Sequence, residues 1–549
     1  MKIAVAQINS VVGDMTGNAK KILDFARKAQ ARGCKLVVTP ELSMCGYPPE
    51  DLLLRADFND ICQREVLDLA FKCEGITLLV GHPLKKGRSL FNAVSILRDK
   101  VVVDSYEKQK LPNYDVFDER RYFNSGLSPT VFEIEGKRIA VNVCEDVWGF
   151  CENDSATMHD SEKNSSCPVA QARSQGAEIL ITLNASPFHL EKQHQRLDIV
   201  RKQAIKNGLT IVFCNMVGGQ DELVFDGKSF AINASGELLM QLPGFEECLG
   251  VLNISSSEAI QKTNVFPDKS KEGEVYEALK LGVKDYFAKS GFSSALIGLS
   301  GGIDSALTLG VAVDALGKDF VHAVMMPSRF TSNMSIEDSR RMTDILKVNY
   351  HEIEIQQIYE QFMLGLKPVF QGRESDVTEE NLQSRIRGTL LMSMSNKFGA
   401  LVLTTGNKSE MSTGYATLYG DMVGGFAVLK DVSKLLVYQL AKYRNTLSKI
   451  IPERIIDRPP TAELREGQLD EDTLPPYEIL DSVLELYVVH NKSISDIVKM
   501  GYTRDTVESI VNLLHNNEYK RRQAPIGIRI TPRAFGRDWR FPIANKFRG

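Results

Sequence analysis

Ala295-Leu296-Ile297-Gly298-Leu299 runs straight into Ser300-Gly301-Gly302-Ile303-Asp304-Ser305-Ala306, and this stretch restricts the fold more tightly than any other. A short apolar run, a small-residue turn and then Leu307, Leu309, Val311, Ala312 and Leu316 at helical spacing predict a buried strand, a tight turn and a helix. Such a turn is a phosphate cradle. Its glycines admit close backbone approach, and the free amides and dipole at the helix start favour an anion. Ser300 and Ser305 add hydroxyl donors. Asp304 makes sense beside phosphates only if a divalent cation bridges them. The G-x-x-x-x-G-K-[ST] motif is absent, because Gly227-Lys228-Ser229 has Glu222 where its first glycine is required.

With 549 residues the chain is too long for one ordinary domain, and two large ones are expected. A net charge of -4, with 43% hydrophobic and 25% charged residues, argues for a globular protein without bulk attraction to nucleic acid or membrane. No run has the length of a membrane span, and Met1 to Asn9 turns polar too soon for a secretory signal, so a cytoplasmic location is expected. Cys34, Cys45, Cys62, Cys73, Cys144, Cys151, Cys167, Cys214 and Cys248 all lie in the first half. Their odd number and irregular spacing predict neither a disulfide framework nor a zinc site, and leave one of them as a candidate nucleophile.

From Ile3 to Ile254 strands alternate with helices: Ile3 to Ile8, a helix near Asn18 to Ala31, Lys35 to Thr39, Ile76 to Val80, then a strand-rich stretch to Val143. Ile179 to Leu183 and Ile211 to Phe213 follow intervening helices, which predicts an α/β domain rich in strand over residues 1–255. A polar, turn-rich connection over 256–272 leads to a second domain, 273–549, that starts with a helix near Glu274 to Ala288. There Ala295 to Leu299, His322 to Met325 and Ala400 to Thr404, separated by long helical patterns, predict a doubly wound, Rossmann-like parallel sheet with ligands beyond its carboxyl ends. The chain ends in a basic segment from Lys520 to Arg548, whose interleaved Ile526, Ile528, Ile530, Phe535, Trp539 and Phe541 predict an ordered segment contacting phosphates or a neighbouring subunit.

Three stretches of the first domain put reactive side chains at strand ends: Thr39-Pro40-Glu41-Leu42, Glu107-Lys108-Gln109-Lys110-Leu111-Pro112, and Val143-Cys144-Glu145-Asp146. Their order, Glu then Lys then Cys, and their local frames resemble the nitrilase superfamily, which hydrolyses amides and nitriles through a thioester. The resemblance implies an α-β-β-α sandwich over the first half. It also implies Glu41 as general base, Lys108 as oxyanion stabiliser and support for a Cys144 thiolate, and Cys144 as nucleophile. Lys108 and Lys110, two residues apart, would share a face of a strand, so periodicity leaves both open. The family frame, with its lysine three residues before Leu111, selects Lys108. A Cys/His dyad is the rival, but none of the eight histidines stands in a recognisable dyad context.

Leu111 to Glu119 and Asn184-Ala185-Ser186-Pro187-Phe188 look like glutamine amidotransferase domains fused to synthetases. That resemblance implies glutamine held by Tyr114, Ser186 and Lys192, with Glu119 supporting the lysine.

The cradle resembles the loop of the N-type ATP pyrophosphatases. Together with Glu380 to Gly388, Thr404-Thr405-Gly406-Asn407-Lys408-Ser409-Glu410, Tyr419-Gly420-Asp421 and Arg458-Pro459-Pro460-Thr461-Ala462-Glu463, it resembles the glutamine-dependent NAD synthetases. The resemblance implies ATP as co-substrate, bound by Gly298, Leu299, Ser300, Gly301, Gly302, Ile303, Asp304, Ser305, Thr405 and Thr461. It implies Mg2+ on Asp304 and Glu410, and deamido-NAD near Asn381, Glu410, Asp421 and Lys520. Arg385 and Arg387 fit either phosphate binding or structural ion pairs. The reaction implied is adenylation of the nicotinate carboxylate and its attack by ammonia released from glutamine and led through a shielded passage. Glutamine, deamido-NAD and ATP are then the partners of a homo-oligomer that binds no nucleic acid. Other amidoligases with the same loop, or a synthetase whose first domain is an inactive scaffold, are the alternatives.

Overall fold

The computed structural model describes residues 1–148, 167–254, 265–468, 470–472 and 474–548. The chain divides into two units, Met1–Gln220 with Val224–Asp268, and Asp221–Leu223 with Lys269–Gly549. The expected connection at 256–272 lies outside the described residues over 256–264, and its last two residues, 271 and 272, are helical. Ser270 caps that helix, Lys271–Ser290, by accepting from the Gly273 amide at 3.1 Å.

The first unit carries β1 (Lys2–Gln7), β2 (Leu36–Val38), β3 (Thr77–Lys86), β4 (Ser89–Arg98), β5 (Val101–Glu107), β6 (Thr130–Ile134) and β7 (Lys137–Val143). Next come β8 (Ile179–Asn184), β9 (Thr210–Asn215), the paired β10 (Val217–Gln220) and β11 (Leu223–Asp226), β12 (Phe230–Ile232), β13 (Leu238–Gln241) and β14 (Cys248–Asn253). One sheet runs β14-β1-β2-β3-β4-β5 and the other β13-β12-β9-β8-β7-β6, each with three central parallel strands and antiparallel neighbours. Alternation decides which side chains meet. Val5, Val38, Leu79 and Ile96 from one sheet share a single core with Val141, Val143, Ile181 and Val212 from the other. The opposite face of the second sheet packs Leu180, Ile211 and Phe213 against the helices Pro168–Ser174 and Lys192–Asn207. The result is the expected α-β-β-α sandwich, with Glu41, Lys108, Cys144 and Ser186 just beyond the carboxyl ends of β2, β5, β7 and β8. The helix expected from Asn18 begins earlier, at Met15, because Asp14 accepts from the Gly17 amide at 2.9 Å.

In the second unit β15 (Ala295–Gly298), β16 (Val321–Met325), β17 (Asn349–Glu352), β18 (Leu401–Thr404) and β19 (Phe426–Ala427) form one parallel sheet, ordered β17-β16-β15-β18-β19. The order reverses between β15 and β18, where a doubly wound sheet opens its ligand crevice. β17 and β19 have no apolar alternation long enough to read, one being the polar Asn349-Tyr350-His351-Glu352 and the other two residues long. Among the described residues no helix is long and apolar enough to cross a membrane. The basic carboxyl-terminal segment is ordered around Ile528, Ile530, Phe535 and Trp539, all buried. Several of its arginines turn inward onto carboxylates, Arg529 to Asp538 at 2.6 Å and Arg521 to Glu518 at 2.8 Å, instead of outward to phosphates.

Candidate active sites

β2 ends before Thr39-Pro40-Glu41, and Glu41 is buried there with each carboxylate oxygen occupied. Oε1 accepts from Lys108 Nζ and from Asn92 Nδ2, both at 2.7 Å, and Oε2 accepts from the Ala185 amide at 3.0 Å. The Lys108 ammonium also donates to both oxygens of Glu119, at 2.9 and 2.8 Å, while the Tyr47 hydroxyl donates to Glu119 Oε1 at 3.1 Å. Lys108 is fully buried. Burial by itself works against the ammonium, yet the charges of Glu119 and Glu41 outweigh it and hold its pKa well above the ordinary value. Glu119 is pushed up to about 7, by burial first and by the like charge of Glu41, against the pull of Lys108. β5 ends at Glu107, so neither Lys108 nor Lys110 belongs to a strand, and only Lys108 turns into the carboxylate cluster.

Cys144 follows β7 with φ +43°, a left-handed conformation that L residues avoid, pinned by its amide donating to Leu183 O at 2.9 Å. Its side chain is buried, and burial together with the charge of Glu41 raises the thiol well above its ordinary pKa, with Lys108 opposing. Glu41 and Glu119 both face the Lys108 ammonium, so its charge is shared between them and the Cys144 thiol.

The glutamine-binding candidates surround this cluster. Tyr114 donates from its hydroxyl to Glu145 Oε2 at 2.8 Å. Lys192 opens the helix Lys192–Asn207 with its ammonium 4.1 Å from the centre of the Trp148 ring, and its charge counteracts the burial that raises Glu145. Ser186 is buried. Its amide donates to Asn215 Oδ1 at 2.9 Å, and its hydroxyl and carbonyl oxygens accept from Arg196 at 3.1 and 2.7 Å. Arg196 is itself buried and anchored on Asp226 at 2.7 Å. Asn92, Tyr47 and Arg196 carry no motif that singles them out in the sequence; each acquires its part from segments that adjoin only in the fold.

In the second unit the turn after β15 and the helix Ile303–Leu316 border a cavity of about 400 Å³. Gly298, Leu299, Ser300, Gly302, Ile303, Asp304, Ser305, Thr405 and Thr461 line it, as do Asn381, Glu410, Asp421 and Lys520. Gly301 does not. It has φ +78°, and a Cβ there would stand 2.5 Å from Ser335 O, so this glycine lets two backbones touch while its neighbours face the cavity. Arg458, which also lines the cavity, holds the turn by donating to Ser335 Oγ at 2.9 Å and to Gly301 O. Glu463 in turn accepts from Ser332 and Ser335 hydroxyls at 2.8 and 2.7 Å.

Asp304 Oδ1 accepts from Asn407 Nδ2 at 2.8 Å and Oδ2 from Lys434 Nζ at 2.6 Å; the same ammonium stands 3.3 Å from Glu410 Oε1. Asn407 and Glu410 close a capping box at the start of the helix Lys408–Thr413, which aims Glu410. Burial and then the charge of Asp304 push Glu410 up to about 8. Lys434 is raised, since Asp304 and Glu410 outweigh its burial. Its sequence context, Ser433-Lys434-Leu435, gives no signal of this. Asn381 Oδ1 accepts from the Thr417 hydroxyl at 2.7 Å and Asp421 Oδ1 from the Thr417 amide at 2.6 Å, while Lys520 donates to Gly414 O and Ala416 O, both at 2.8 Å. Arg385 is exposed, whereas Arg387 lines the cavity, with its Nε on Met326 O at 2.9 Å. No carboxylate among the described residues pairs with Arg387, and burial lowers it to about 10. Among the described residues no group of three or more His, Cys, Asp or Glu side chains could hold a metal ion, and Asp304 and Glu410 form a pair across Lys434.

A sandwich carrying a buried Glu, Lys and Cys, joined to a parallel sheet with a phosphate cradle, defines an amide hydrolase linked to a nucleotide-dependent synthetase. Residues 2–150 and 165–262 match the carbon-nitrogen hydrolase family, and residues 275–524 match the NAD synthase family. The chain belongs to the glutamine-dependent NAD(+) synthetases. It is 45% identical to the glutamine-dependent NAD(+) synthetase of Acinetobacter baylyi, over 100% of this chain and 99% of that one. It is 42% identical to that of Thermotoga maritima, again over 100% and 99%. The solved glutamine-dependent NAD+ synthetase of Acinetobacter baumannii, in complex with adenosine diphosphate, superposes with a TM-score of 0.79 at 41% identity, covering 99% of this chain and 98% of that one.

Proposed function

We propose that residues 1–255 release ammonia from glutamine and that residues 273–549, beyond the connection at 256–272, use it with ATP to amidate the nicotinate carboxylate of deamido-NAD. The observation that carries the first half is the Lys108 ammonium held between Glu41 and Glu119 beside a thiol in strained backbone. Glu41 takes the Cys144 proton as sulfur attacks the amide carbonyl, then returns it to the departing nitrogen. Lys108, fixed by two carboxylates, supplies the positive charge that stabilises the oxyanion, moving one of its donors from Glu119 to it. Water then cleaves the thioester to glutamate. Tyr114, Ser186 and Lys192 hold the substrate. Lys192 and Glu145 offer opposite charges to the two ends of an amino acid zwitterion, and Ser186, whose oxygen accepts from Arg196, keeps its own proton to donate.

In the second unit the amides and hydroxyls from Ser300 to Ser305 receive the pyrophosphate, and Thr405 and Thr461 position ATP. Arg387, a cation in the cavity wall with no carboxylate partner among the described residues, meets a phosphate. Asn381, Asp421 and Lys520 face deamido-NAD. Magnesium fits the donor set, because Asp304 and Glu410 present hard oxygens and the raised Glu410 reports carboxylate crowding that a cation relieves. Asp304 and Glu410 would hold it with phosphate oxygens; when bound it supplies charge neutralisation for departing pyrophosphate. Until then Lys434 offsets the two carboxylates. Ammonia, unlike ammonium, carries a free electron pair, so generating it from glutamine spares the synthetase the protonated form that dominates in neutral solution.

The enzyme is read as cytoplasmic and as a homo-oligomer acting on small molecules. The exposed Leu67 and Phe71 of the helix Ala56–Phe71, and Val101 and Val103 on edge strand β5, support a covered surface. Incubation with deamido-NAD, ATP, magnesium and glutamine tests the reading: NAD, AMP and glutamate are expected in equal amounts. Glutamate without NAD would leave the acceptor misassigned, and NAD formed with ammonium salts but not with glutamine would refute the glutaminase.

A further inference from the structure

Asp146 lies two residues beyond the nucleophile and is fully buried, yet it takes no part in the chemistry above. Its carboxylate accepts four hydrogen bonds from two strand ends. Oδ1 takes the amides of Gln109 and Lys110, at 3.1 and 2.8 Å, and Oδ2 takes the Val143 amide at 2.9 Å and the Tyr106 hydroxyl at 2.8 Å. The first pair follows Lys108 directly, and the Val143 amide immediately precedes Cys144. β5 and β7 belong to different sheets, so no ladder of hydrogen bonds fixes the spacing between the residues that follow them.

Resting on the glutaminase reading, we propose that Asp146 is a positioning residue that clamps the Lys108 backbone to the Cys144 turn and so sets the lysine at the distance from the thioester oxyanion that catalysis requires. An ionised carboxylate is suited to this because it accepts at both oxygens, and hydrogen bonds to a charged acceptor are the stronger kind. Glu41 and Glu119 aim the Lys108 side chain, whereas Asp146 places the backbone from which it extends. Asparagine cannot replace it. One oxygen would become an NH2 group facing donors, leaving either Gln109 and Lys110 or Val143 and Tyr106 without an acceptor.

Glutamate release by the full-length chain tests this with Asp146→Asn, Lys108→Ala and the double variant. Asp146→Asn is expected to lower kcat about 10- to 100-fold, with KM for glutamine within about threefold, and to keep ammonia-dependent NAD synthesis. Because Asp146 acts through Lys108, adding Asp146→Asn to Lys108→Ala is expected to cost less than about threefold more. A merely structural role would lower the active fraction equally in both backgrounds, so multiplicative losses overturn the proposal, as does Asp146→Asn within threefold of wild type. If Asp146→Asn does not fold, Tyr106→Phe removes one donor to the same oxygen and is expected to cost about fivefold in kcat; an unchanged kcat there overturns the clamp. A wild-type chain that releases no glutamate overturns the glutaminase reading and the clamp with it, whereas an active wild type isolates the clamp.

Discussion

Lys434 Nζ lies 2.6 Å from Asp304 Oδ2, across 130 residues of sequence, and 3.3 Å from Glu410 Oε1. One ammonium thus serves two carboxylates that enter the cavity from different strand ends, Asp304 on the helix after β15 and Glu410 on the helix after β18. The second carboxyl, Glu410, is pushed up to about 8 by burial and by Asp304, and a cation bound with phosphate oxygens would favour its ionised form.

Asp304→Ala removes half of the carboxylate pair and leaves Lys434 on Glu410 alone. NAD formation should fall by at least about 10²-fold with glutamine and with ammonia alike, the scale of losing a group that stabilises developing charge. Glutamate release should continue. Synthesis from ammonia at near wild-type rate under saturating magnesium would remove Asp304 from the metal and pyrophosphate environment.

Lys108→Ala should lower glutamate release by about 10²-fold or more, since it deletes the oxyanion stabiliser and leaves Glu41 and Glu119 buried together without their cation. Lys110 lies outside that cluster, so Lys110→Ala should remain within about threefold. Parallel steady-state assays of the two variants decide, and the reverse ranking would transfer the role to Lys110.

Cys144→Ala should abolish NAD synthesis from glutamine while synthesis from ammonium salts stays within about threefold of wild type, rising with pH as more free ammonia becomes available. Alanine removes only the sulfur from a buried site, so the unit should fold. Both nitrogen sources must be measured in one preparation. Parallel loss of both would make the cysteine structural, and retained glutamine-dependent synthesis would falsify its assignment as nucleophile.

Arg387→Ala should raise KM for ATP or for deamido-NAD by at least about tenfold, the scale of one charge-assisted hydrogen bond, and Arg387→Lys should recover part of it. Which substrate is affected identifies the phosphate it meets. Unchanged KM for both would make Arg387 a wall residue held by Met326 O alone.

Glu410 supplies a pH dependence of stability in the substrate-free protein. Its folded pKa of about 8 stands above the ordinary 4.5, so between those values the folded state binds more protons than the unfolded state, and its contribution to stability declines as pH rises through that window. Glu410→Gln keeps the shape and loses the titration. The variant's melting temperature relative to wild type should therefore be higher at pH 8 than at pH 5, and an equal or opposite difference would refute the raised pKa.

The cradle from Gly298 to Ser305 was readable because everything that makes it lies within a dozen residues: an apolar strand, a glycine turn and a helix start. Glu41 and Cys144 were readable for a related reason, as reactive side chains placed immediately after β2 and β7. Lys108 was less so. Alternation could not separate it from Lys110, and the family frame chose it; its contacts with Glu41 and Glu119 form only when β2, β5 and the turn near Glu119 are brought together.

Local hydrogen bonding, glycine stereochemistry and apolar periodicity act between residues a few positions apart, and they sufficed for the parallel-sheet class and the candidates at strand ends, whereas the sandwich was implied by the resemblance of the Glu41, Lys108 and Cys144 frames. Arg196 and Lys434 had no such signal, and Asp146 and Arg387 lay in stretches that the sequence offered without deciding their partners. An aspartate or lysine is indistinguishable from a solvated one until strand order decides which ends become neighbours and burial removes the water that would otherwise satisfy its charge. Tertiary structure alone decided those partners, because a buried charge must find its counter-ion or hydrogen-bond donors wherever the fold delivers them, whatever their separation along the chain.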